Sequence, residues 1–284
     1  MVTNWTSTLS VNSHPRDNLG LGYVYAVASR RSGGISVGIN VNPNKACNYR
    51  CLYCQVEGLT RGKAPALDLK RFKMELKAFL GDASRAQESE EPYSIRDIAI
   101  SGDGEPTSLE AFDELVLALR EALSESGLLG LVKVVLITNG TLLRRTRVQK
   151  GLALLAAIQG EVWFKLDAAS QEGILKVHDT RVPPSKLFEN LKAASSLCLT
   201  WVHTLCFRLD GTALLDIPRE RETYLAFLGR AQKEGLPLGG VVLYTLARPS
   251  LQPEAPRLSA VSEAWLQALA SDVHDLGLDV RVHP

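Results

Sequence analysis

The sequence predicts an α/β protein in which short strands alternate with longer helices. Runs of β-branched residues recur from residue 35 onward, and stretches with helical periodicity separate them. Repeated β/α units imply a parallel sheet covered by helices. Because crossover connections are right-handed, six such units can wind into an open or closed barrel, and a doubly wound open sheet is the competing arrangement.

The predicted elements follow one another in order along the chain. Strands are predicted at residues 35–41, 97–101, 132–138, 162–167, 201–209 and 239–245, with a possible seventh at 278–282. Helices are predicted at residues 68–80, 108–126, 145–158, 185–198, 217–234 and 259–276. The polar stretch 82–96 indicates a surface insertion, and the proline-containing stretch 247–260 a restrained loop. We take residues 1–34 as an N-terminal extension and residues 35–284 as a single core domain.

Side chains indicate where two of the helices begin. Thr107 followed by Glu110 forms a capping-box pattern for the second helix. Asp216 can cap the fifth helix, with Pro218 in its first turn. Both patterns place the residues just before each helix at the carboxyl end of a strand, where an α/β fold collects its functional groups.

Length and composition fit an ordinary globular chain. The 284 residues are 45% hydrophobic and 22% charged, which excludes a disordered or collagen-like protein. Lys and Arg number 32 against 31 Asp and Glu, so the net charge of +1 gives no field to recruit nucleic acid or an anionic membrane. The first residues lack the pattern of a secretory signal, and no stretch is apolar enough to span a bilayer. We therefore expect a cytoplasmic protein with no membrane partner.

Three of the five cysteines fall within eight positions, after the first predicted strand. Cys47, Cys51 and Cys54 have the spacing Cys-x-x-x-Cys-x-x-Cys, and in a reducing compartment such clustering points to metal or catalysis. Thiolates are the usual ligands of iron–sulfur clusters, and a cubane held only by protein takes four of them. Three would leave one iron open to an exogenous ligand. Cys198 and Cys206 are distant in sequence and typical of core positions.

Two other interpretations of the cysteine triad remain open at this point. Residues spaced by four and then three positions also share one face of a helix, so these cysteines could simply pack together. A structural zinc site would want a fourth Cys or His, typically in a second Cys-x-x-Cys pair. No second pair exists, and the nearest histidines in sequence are His14 and His178.

A glycine-rich segment follows the second predicted strand and reads Ser101-Gly102-Asp103-Gly104-Glu105-Pro106-Thr107. Its glycines allow a ligand to approach the backbone closely, and the carboxylate of Glu105 suits an ammonium group. A single Gly-x-Gly is also compatible with a tight turn before a helix. Its position one β/α unit after the cysteines favours a shared site.

At these residues the chain resembles the radical S-adenosylmethionine (radical SAM) superfamily. The resemblance covers about residues 30–250, and its most specific element is the cysteine motif with the aromatic Tyr53 directly before the last cysteine. The Gly-Asp-Gly-Glu run resembles the glycine-rich motif of that superfamily. Several further segments are similar to a branch related to wyosine-base synthases: Ser29-Arg30-Arg31, Gly38-Ile39-Asn40, Pro43, Thr138-Asn139-Gly140 and Lys165-Leu166-Asp167-Ala168.

The resemblance implies a partial (β/α)6 TIM-like barrel with a 4Fe-4S cluster held by Cys47, Cys51 and Cys54. In such enzymes the open iron binds the amino and carboxylate groups of S-adenosylmethionine. An electron from a flavodoxin- or ferredoxin-like reductant then breaks the carbon–sulfur bond. The resulting 5′-deoxyadenosyl radical removes a hydrogen atom from the substrate, whose identity the resemblance does not imply.

The resemblance also implies roles for further residues. Tyr53 would lie near the adenine, and Lys165 would face the carboxylate or the ribose. The methionine amino group would be held by Gly102, Asp103, Gly104 and Glu105. Asn139 and Asp167 would bind the ribose, although Asp167 could equally cap the next helix. Weaker candidates for substrate contact, each equally explained as a salt bridge or a loop anchor, are Arg208, Asp210, Tyr244 and Arg248.

Two alternative functions are retained. The first is wyosine-like tRNA base modification, although archaeal wyosine-base synthases carry upstream cysteines for a second cluster and no cysteine precedes Cys47. The second is a non-enzymatic iron–sulfur electron carrier or a zinc-bound interaction module. Nucleic acid is a possible but not favoured partner, since the sequence-local basic set is small: Arg30, Arg31, Lys45, Arg50, Arg61 and Lys63.

Overall fold

The computed structural model describes residues 21–29, 34–87 and 95–284. Its strands are Val24–Ser29 (β1), Gly34–Ile39 (β2), Ala46–Cys47 (β3), Thr60–Arg61 (β4), Ile95–Ile100 (β5), Lys133–Thr138 (β6), Glu161–Lys165 (β7), Leu199–Leu209 (β8), Thr212–Ala213 (β9), Leu238–Thr245 (β10), Leu258–Ala260 (β11) and Val280–His283 (β12). Its α-helices are Leu69–Gln87 (α1), Phe112–Glu125 (α2), Thr146–Ala157 (α3), Gln171–His178 (α4), Pro184–Ser195 (α5), Pro218–Lys233 (α6) and Glu263–His274 (α7).

The alternation of strands and helices agrees with the sequence prediction. All seven predicted strands form, with ends within two residues of the predicted ones, and each of the six predicted helices is present. The strand β1 and the helix α4 were not predicted. α4 has only eight residues, too short for a clear periodicity, and its start is marked by Ser170, whose Oγ accepts a hydrogen bond from the amide of Gly173 at 2.8 Å.

The described chain forms two compact units. The first contains the described residues up to Asn48, then Gly62–Ile137 and Arg145–Glu161. In it β1 pairs antiparallel with β2, while β2 runs parallel to β5 and β5 parallel to β6. The helix α2 packs between α1 and α3. Apolar residues at helical spacing on α1 and α2 are buried, among them Phe72, Leu76, Phe79, Leu115 and Leu119.

The second unit contains Tyr49–Arg61, Thr138–Arg144 and Val162–Pro284. In it β7 neighbours β8, β8 runs parallel to β10, and β10 runs parallel to β12. The short strands β9 and β11 pair antiparallel with the carboxyl-terminal end of β8. β8 is the central strand of this unit, which explains why its eleven residues are buried except near its ends.

The capping box predicted for the second helix was wrong. Glu105, not Thr107, caps the segment, and it caps a 3₁₀ turn at Pro106–Ser108 that precedes α2. α2 begins at Phe112 without a side-chain cap, while the carboxylate of Glu110 forms ion pairs with Lys63 and Arg145. Within this turn the hydroxyl of Ser108 accepts a hydrogen bond from the amide of Ala64 at 2.8 Å, which ties the turn to a segment distant in sequence.

The cap predicted for the fifth helix was also misplaced. α6 begins at Pro218 as expected, but Asp216 does not cap it. Asp216 lies in a preceding 3₁₀ turn, where its carboxylate accepts hydrogen bonds from the indole of Trp265 at 2.6 Å and from the amide of Ala213 at 3.3 Å. An aspartate next to a proline-initiated helix thus stabilises the turn before it.

Parts of two predicted segments lie outside the described residues. Residues 1–20 and 30–33 belong to the predicted N-terminal extension, in which β1 is described and joins the sheet of the first unit. Residues 88–94 belong to the predicted insertion, whose first part continues α1 to Gln87. Within the part of the chain that is described, no helix combines the length and apolar character needed to cross a bilayer.

Candidate active site

In the first unit, Asn40 joins the segment after β2 to the glycine-rich segment after β5. Its Oδ1 accepts hydrogen bonds from the amides of Asn42 and Asp103, both at 3.0 Å. Its Nδ2 donates to the carboxylate of Asp103 at 2.7 Å. The segment that leads to Cys47 and the predicted methionine-binding segment are therefore held together by one buried amide side chain.

Gly102 and Gly104 are required by this contact. A Cβ at Gly102 would lie 2.3 Å from Oδ1 of Asn40, and a Cβ at Gly104 would lie 2.1 Å from the carbonyl oxygen of Ala46. Neither distance is tolerated by a real side chain, so both positions need glycine whether or not a ligand is bound. The sequence predicts that these glycines let a ligand approach the backbone. In the structure they also let the segment that leads to Cys47 approach it.

Glu105 is buried and serves the turn that it caps. It is 2% exposed, and its Oε1 accepts hydrogen bonds from the amide of Thr107 at 3.0 Å and from the hydroxyl of Thr107 at 2.5 Å. The carboxylate of Glu105, which is predicted to hold the methionine amino group, thus also caps the turn at Pro106–Ser108.

Asn42 is a residue that the sequence analysis did not select. It is 1% exposed, and its Nδ2 donates to the carbonyl oxygen of Ala46 at 2.9 Å, which fixes the orientation of the amide. Its Oδ1 has no hydrogen-bond partner among the described residues. A buried acceptor without a partner costs about 1–3 kcal/mol. Because the amide packs against Gly104, this acceptor fits an ammonium group brought to the glycine-rich segment.

Cys47 lies in β3 and is half-buried. Its carbonyl oxygen accepts a hydrogen bond from the amide of Gly62 at 3.0 Å. The turn just before it uses a left-handed residue, Lys45, with φ of 53°. The backbone around this thiol is therefore fixed from both sides.

In the second unit, the loop with Cys51 and Cys54 is hydrogen-bonded to the carboxyl-terminal end of α4. The amide of Arg50 donates to the carbonyl oxygen of His178 at 3.0 Å, and the amide of Leu52 donates to that of Val177 at 2.9 Å. The last carbonyls of a helix have no partner within it, so these bonds satisfy both groups at once. The carboxylate of Asp179, the left-handed cap of α4, forms ion pairs with Arg50 at 3.4 Å and with Arg61 at 2.9 Å.

The proline-containing loop after β10 holds the same cysteine loop from another direction. The hydroxyl of Ser250 donates to the carbonyl oxygens of Leu52 and Cys54, at 2.7 and 3.1 Å. The amide of Leu251 also donates to Cys54, at 2.9 Å. The sequence analysis predicted a restrained loop here, and these bonds show what it restrains.

A buried polar network at the carboxyl-terminal end of β7 is centred on Asp167. Its Oδ1 accepts from the ammonium of Lys165 at 2.8 Å and from the amide of Leu205 at 2.7 Å, and its Oδ2 accepts from the hydroxyl of Tyr53. The ammonium of Lys165 also donates to the hydroxyl of Tyr244 at 2.5 Å and lies 5.1 Å from the ring centre of Tyr53. The structure thus brings together three predicted cofactor residues and one weaker candidate.

The charges in this network stabilise one another. Burial alone would lower the pKa of Lys165, but Asp167 and Tyr244 outweigh it, and the pKa is raised above its usual value. Burial alone would raise the pKa of Asp167, but Lys165 and His178 hold it below its usual value. Burial, together with the charge of Asp167, raises the pKa of Tyr53 well above its usual value. At neutral pH Lys165 is therefore a cation, Asp167 an anion and Tyr53 a neutral phenol.

His178 is a second site residue that the sequence analysis missed as such. Its Nδ1 lies 3.2 Å from Sγ of Cys51, and its Nε2 lies 3.6 Å from Oδ2 of Asp167. Its ring stacks on Tyr49, with centroids 5.1 Å apart, and meets the edge of Tyr53 at 6.2 Å. Burial lowers the pKa of His178 to about 4, although Asp167 partly opposes this effect. No local sequence signal marks this residue, since it ends an unpredicted helix far from the cysteines in sequence.

The remaining predicted residues serve local structure. Oδ1 of Asn139 accepts from the amide of Thr141 at 3.1 Å and from its hydroxyl at 2.7 Å, as in an Asx turn. Arg208 pairs with Asp216 at 3.3 Å, and Asp210 pairs with Arg257 at 2.6 Å. For Arg208 and Asp210 the structure thus shows the salt bridges that the sequence analysis gave as the alternative to substrate contact. The backbone carbonyl oxygen of Arg248 lies 3.5 Å from Nε2 of Gln55.

The basic set is largely paired with acidic side chains where it is described. Arg50 also pairs with Glu254 at 2.8 Å, and Lys63 pairs with Glu110 at 3.3 Å. Arg30 and Arg31 lie outside the described residues.

The thiols differ in accessibility. All five cysteines are described and none is in a disulfide; Cys47, Cys51 and Cys54 are half-buried. Cys198 and Cys206 are each 4% exposed, and burial raises the pKa of Cys206, as expected for inert core thiols. Among the described residues, no three His, Cys, Asp or Glu side chains are grouped so as to hold a single metal ion.

The model of the radical SAM superfamily matches residues 41–208, which include every cysteine and all of the predicted cofactor residues. The chain belongs to the radical SAM superfamily. It is therefore an enzyme of the radical SAM class, as predicted. A UPF0026 protein of Helicobacter pylori is 25% identical over 242 residues, which cover 82% of this chain and 68% of the relative.

Solved structures agree with this membership at the level of fold. A radical SAM methyltransferase from Sphaerobacter thermophilus superposes with a TM-score of 0.56 at 18% identity, covering 92% of this chain and 68% of that one. A structure of TYW1 with a lysine–pyruvate adduct bound gives a TM-score of 0.52 at 14% identity, covering 89% of this chain and 84% of that one. The predicted fold class, an α/β fold of the radical SAM type, is confirmed.

Proposed function

We propose that this radical SAM enzyme binds a 4Fe-4S cluster through Cys47, Cys51 and Cys54 and uses it to cleave S-adenosylmethionine reductively. The observation that carries the proposal is the superfamily match over a Cys-x-x-x-Cys-x-x-Cys motif whose three thiols are half-buried, while the other two cysteines are packed in the core. Three thiolates leave one position of a cubane open to a further ligand. When bound, the reduced cluster supplies the electron that converts S-adenosylmethionine into methionine and a 5′-deoxyadenosyl radical.

The residues around the motif have complementary roles in this proposal. The ammonium of Lys165 suits the methionine carboxylate, since Asp167 and Tyr244 keep it protonated. The orphaned acceptor of Asn42 and the carboxylate of Glu105 suit the methionine amino group. Because both oxygens of Asp167 already accept hydrogen bonds from the protein, we assign Asp167 to holding Lys165 and Tyr53 in place. Its binding of the ribose, and that of Asn139, stay predictions.

In this proposal the 5′-deoxyadenosyl radical abstracts a hydrogen atom from the substrate. A flavodoxin- or ferredoxin-like donor is proposed as the reductant, and a cytoplasmic location is proposed with it. Wyosine-like tRNA modification is the alternative, and the likeness to TYW1 is compatible with it.

Anaerobic reconstitution tests the proposal. We expect about four iron atoms and four sulfide ions per chain. We also expect 5′-deoxyadenosine to form from S-adenosylmethionine in the presence of dithionite. Cys51→Ala should lose both, while Cys198→Ala, which removes a buried core thiol outside the motif, should keep both. Production of 5′-deoxyadenosine by Cys51→Ala, or a single tightly bound zinc in the wild type, would refute the proposal. Deuterium transfer from candidate substrates into 5′-deoxyadenosine then identifies the substrate.

A further inference from the structure

The imidazole of His178 touches the sulfur of a cysteine that we assign to the cluster. Its Nδ1 lies 3.2 Å from Sγ of Cys51, which is hydrogen-bond distance for the large sulfur atom. Nε2 is 3.6 Å from the carboxylate of Asp167, longer than an ordinary N–H···O bond. Of the two ring nitrogens, Nδ1 therefore makes the closer polar contact.

The position of the ring is fixed by several independent contacts. The carbonyl oxygen of His178 accepts a hydrogen bond from the amide of Arg50, which holds the end of α4 against the cysteine loop. Tyr49 stacks on one face of the ring at 5.1 Å, and Tyr53 meets it edge-on at 6.2 Å. His178 is 4% exposed, so its ring is largely shielded from water. A contact held in this way is built into the fold of the second unit.

We infer that His178 is a positioning residue for the cluster, whose hydrogen bond to the sulfur of Cys51 orients this ligand and sets the reduction potential. This inference rests on the proposed function. Donors to a ligating sulfur stabilise its negative charge, and the reduced cluster carries more of that charge than the oxidised one. A ligating thiolate carries no proton, so the proton of this hydrogen bond lies on Nδ1 of His178, and the bond makes the cluster easier to reduce.

The test is the midpoint potential of the anaerobically reconstituted full-length enzyme, followed by electron paramagnetic resonance during redox titration. His178→Leu removes the donor, and we expect its potential to shift to more negative values. His178→Asn places an amide nitrogen near the position of Nδ1, and we expect a potential close to that of the wild type. The matched control is Val177→Ala, which removes a buried side chain at the same helix end but no polar contact with the sulfur. Its potential should not change.

Several outcomes overturn the inference. One is a potential of His178→Leu equal to that of the wild type, and another is a shift of Val177→Ala as large as that of His178→Leu. If His178→Leu loads no iron, His178→Asn is compared with His178→Gln, whose amide nitrogen lies nearer the position of Nε2. A more negative potential in His178→Gln alone supports the inference, and equal potentials contradict it. A wild type that loads no cluster refutes the proposed function itself, which separates the two failures.

Discussion

The ammonium of Lys165 lies 2.8 Å from Oδ1 of Asp167, and both side chains are largely shielded from solvent. Their attraction offsets the cost of burying two charges, because the carboxylate also accepts bonds from the amide of Leu205 and the hydroxyl of Tyr53. The pair thus anchors the aromatic residue beside Cys54 to the end of β7. Lys165, which we assign to the cofactor, and Tyr53, which precedes the cluster ligand Cys54, are thus both held by the carboxylate of Asp167.

Asp167→Asn should strongly destabilise the cluster-free protein. The substitution leaves the buried ammonium of Lys165 without its counter-charge, and breaking a buried pair costs about 3–5 kcal/mol. Urea unfolding measures the change. Asp210→Asn is the control, because it breaks an exposed pair with Arg257 and should have only a small effect. Equal losses in the two variants would contradict a special role for the buried pair.

The stabilisation by Asp167 should depend on pH with a defined sign. Its pKa is lowered in the folded protein, so the ionised form stabilises the fold above the unfolded pKa of about 3.9, and this stability is lost as the pH falls through the folded pKa. The difference in unfolding free energy between wild type and Asp167→Asn should be constant from neutral pH to about pH 5 and shrink below about pH 4. A difference that stays constant down to pH 2 would show that the carboxylate charge is not its cause.

The order of strands and helices was predictable because each element carries its own periodicity. The strands β6 and β10 contain continuous runs of apolar and β-branched residues, Val134–Ile137 and Val241–Tyr244, which indicate burial without further context. The helix α4 was missed because its eight residues are too few to show a clear periodicity. The capping boundary at Thr107 failed for another reason, since the extra turn there is stabilised by Ala64, far away in sequence.

The residues of the candidate site also divide into those that the sequence could predict and those that it could not. The spacing of the cysteines and the glycine-rich run are local patterns, and both could be found in the sequence. His178 and Asn42 could not be selected, because their significance comes from the atoms they meet: a thiol 127 positions away for His178, and a buried amide oxygen without a partner in the described structure for Asn42. Long-range contacts of this kind leave no trace in residue spacing.

Gly104→Ala should disrupt the packing between the glycine-rich segment and the cysteine segment. The new Cβ would lie 2.1 Å from the backbone oxygen of Ala46, which cannot move without shifting the chain next to Cys47. We expect lower stability and reduced iron loading, measured by thermal unfolding and iron analysis. Gly81→Ala is the matched control: it lies in α1 with open space around its Cβ, and it should stabilise by about 0.5–1 kcal/mol. Normal iron loading by Gly104→Ala would mean that the segments need not be in close contact.

Glu105→Ala should lower the stability of the protein even without any cofactor. The carboxylate caps the turn at Pro106–Ser108, and loss of a cap costs about 0.5–2 kcal/mol. Thr107→Val removes only the hydroxyl contact and keeps the backbone bond, so it should cost less. Both are measured by urea unfolding of the cluster-free protein. An unchanged stability of Glu105→Ala would leave binding of the amino group as its main role.

Asn42→Ala should weaken the binding of S-adenosylmethionine more than the loading of iron. Its Oδ1 is the buried acceptor of an amide group that packs against Gly104. A hydrogen bond to an ammonium group contributes about 1.5–3 kcal/mol, which corresponds to roughly 10- to 100-fold in affinity. Equilibrium binding to the reconstituted enzyme gives the affinity, and iron analysis gives the loading. Asn44→Ala is the control on the same loop, because this exposed side chain donates to the carbonyl oxygen of Lys63 and its loss should leave the affinity unchanged. If both variants bind S-adenosylmethionine equally well, the orphaned oxygen of Asn42 does not face the amino group.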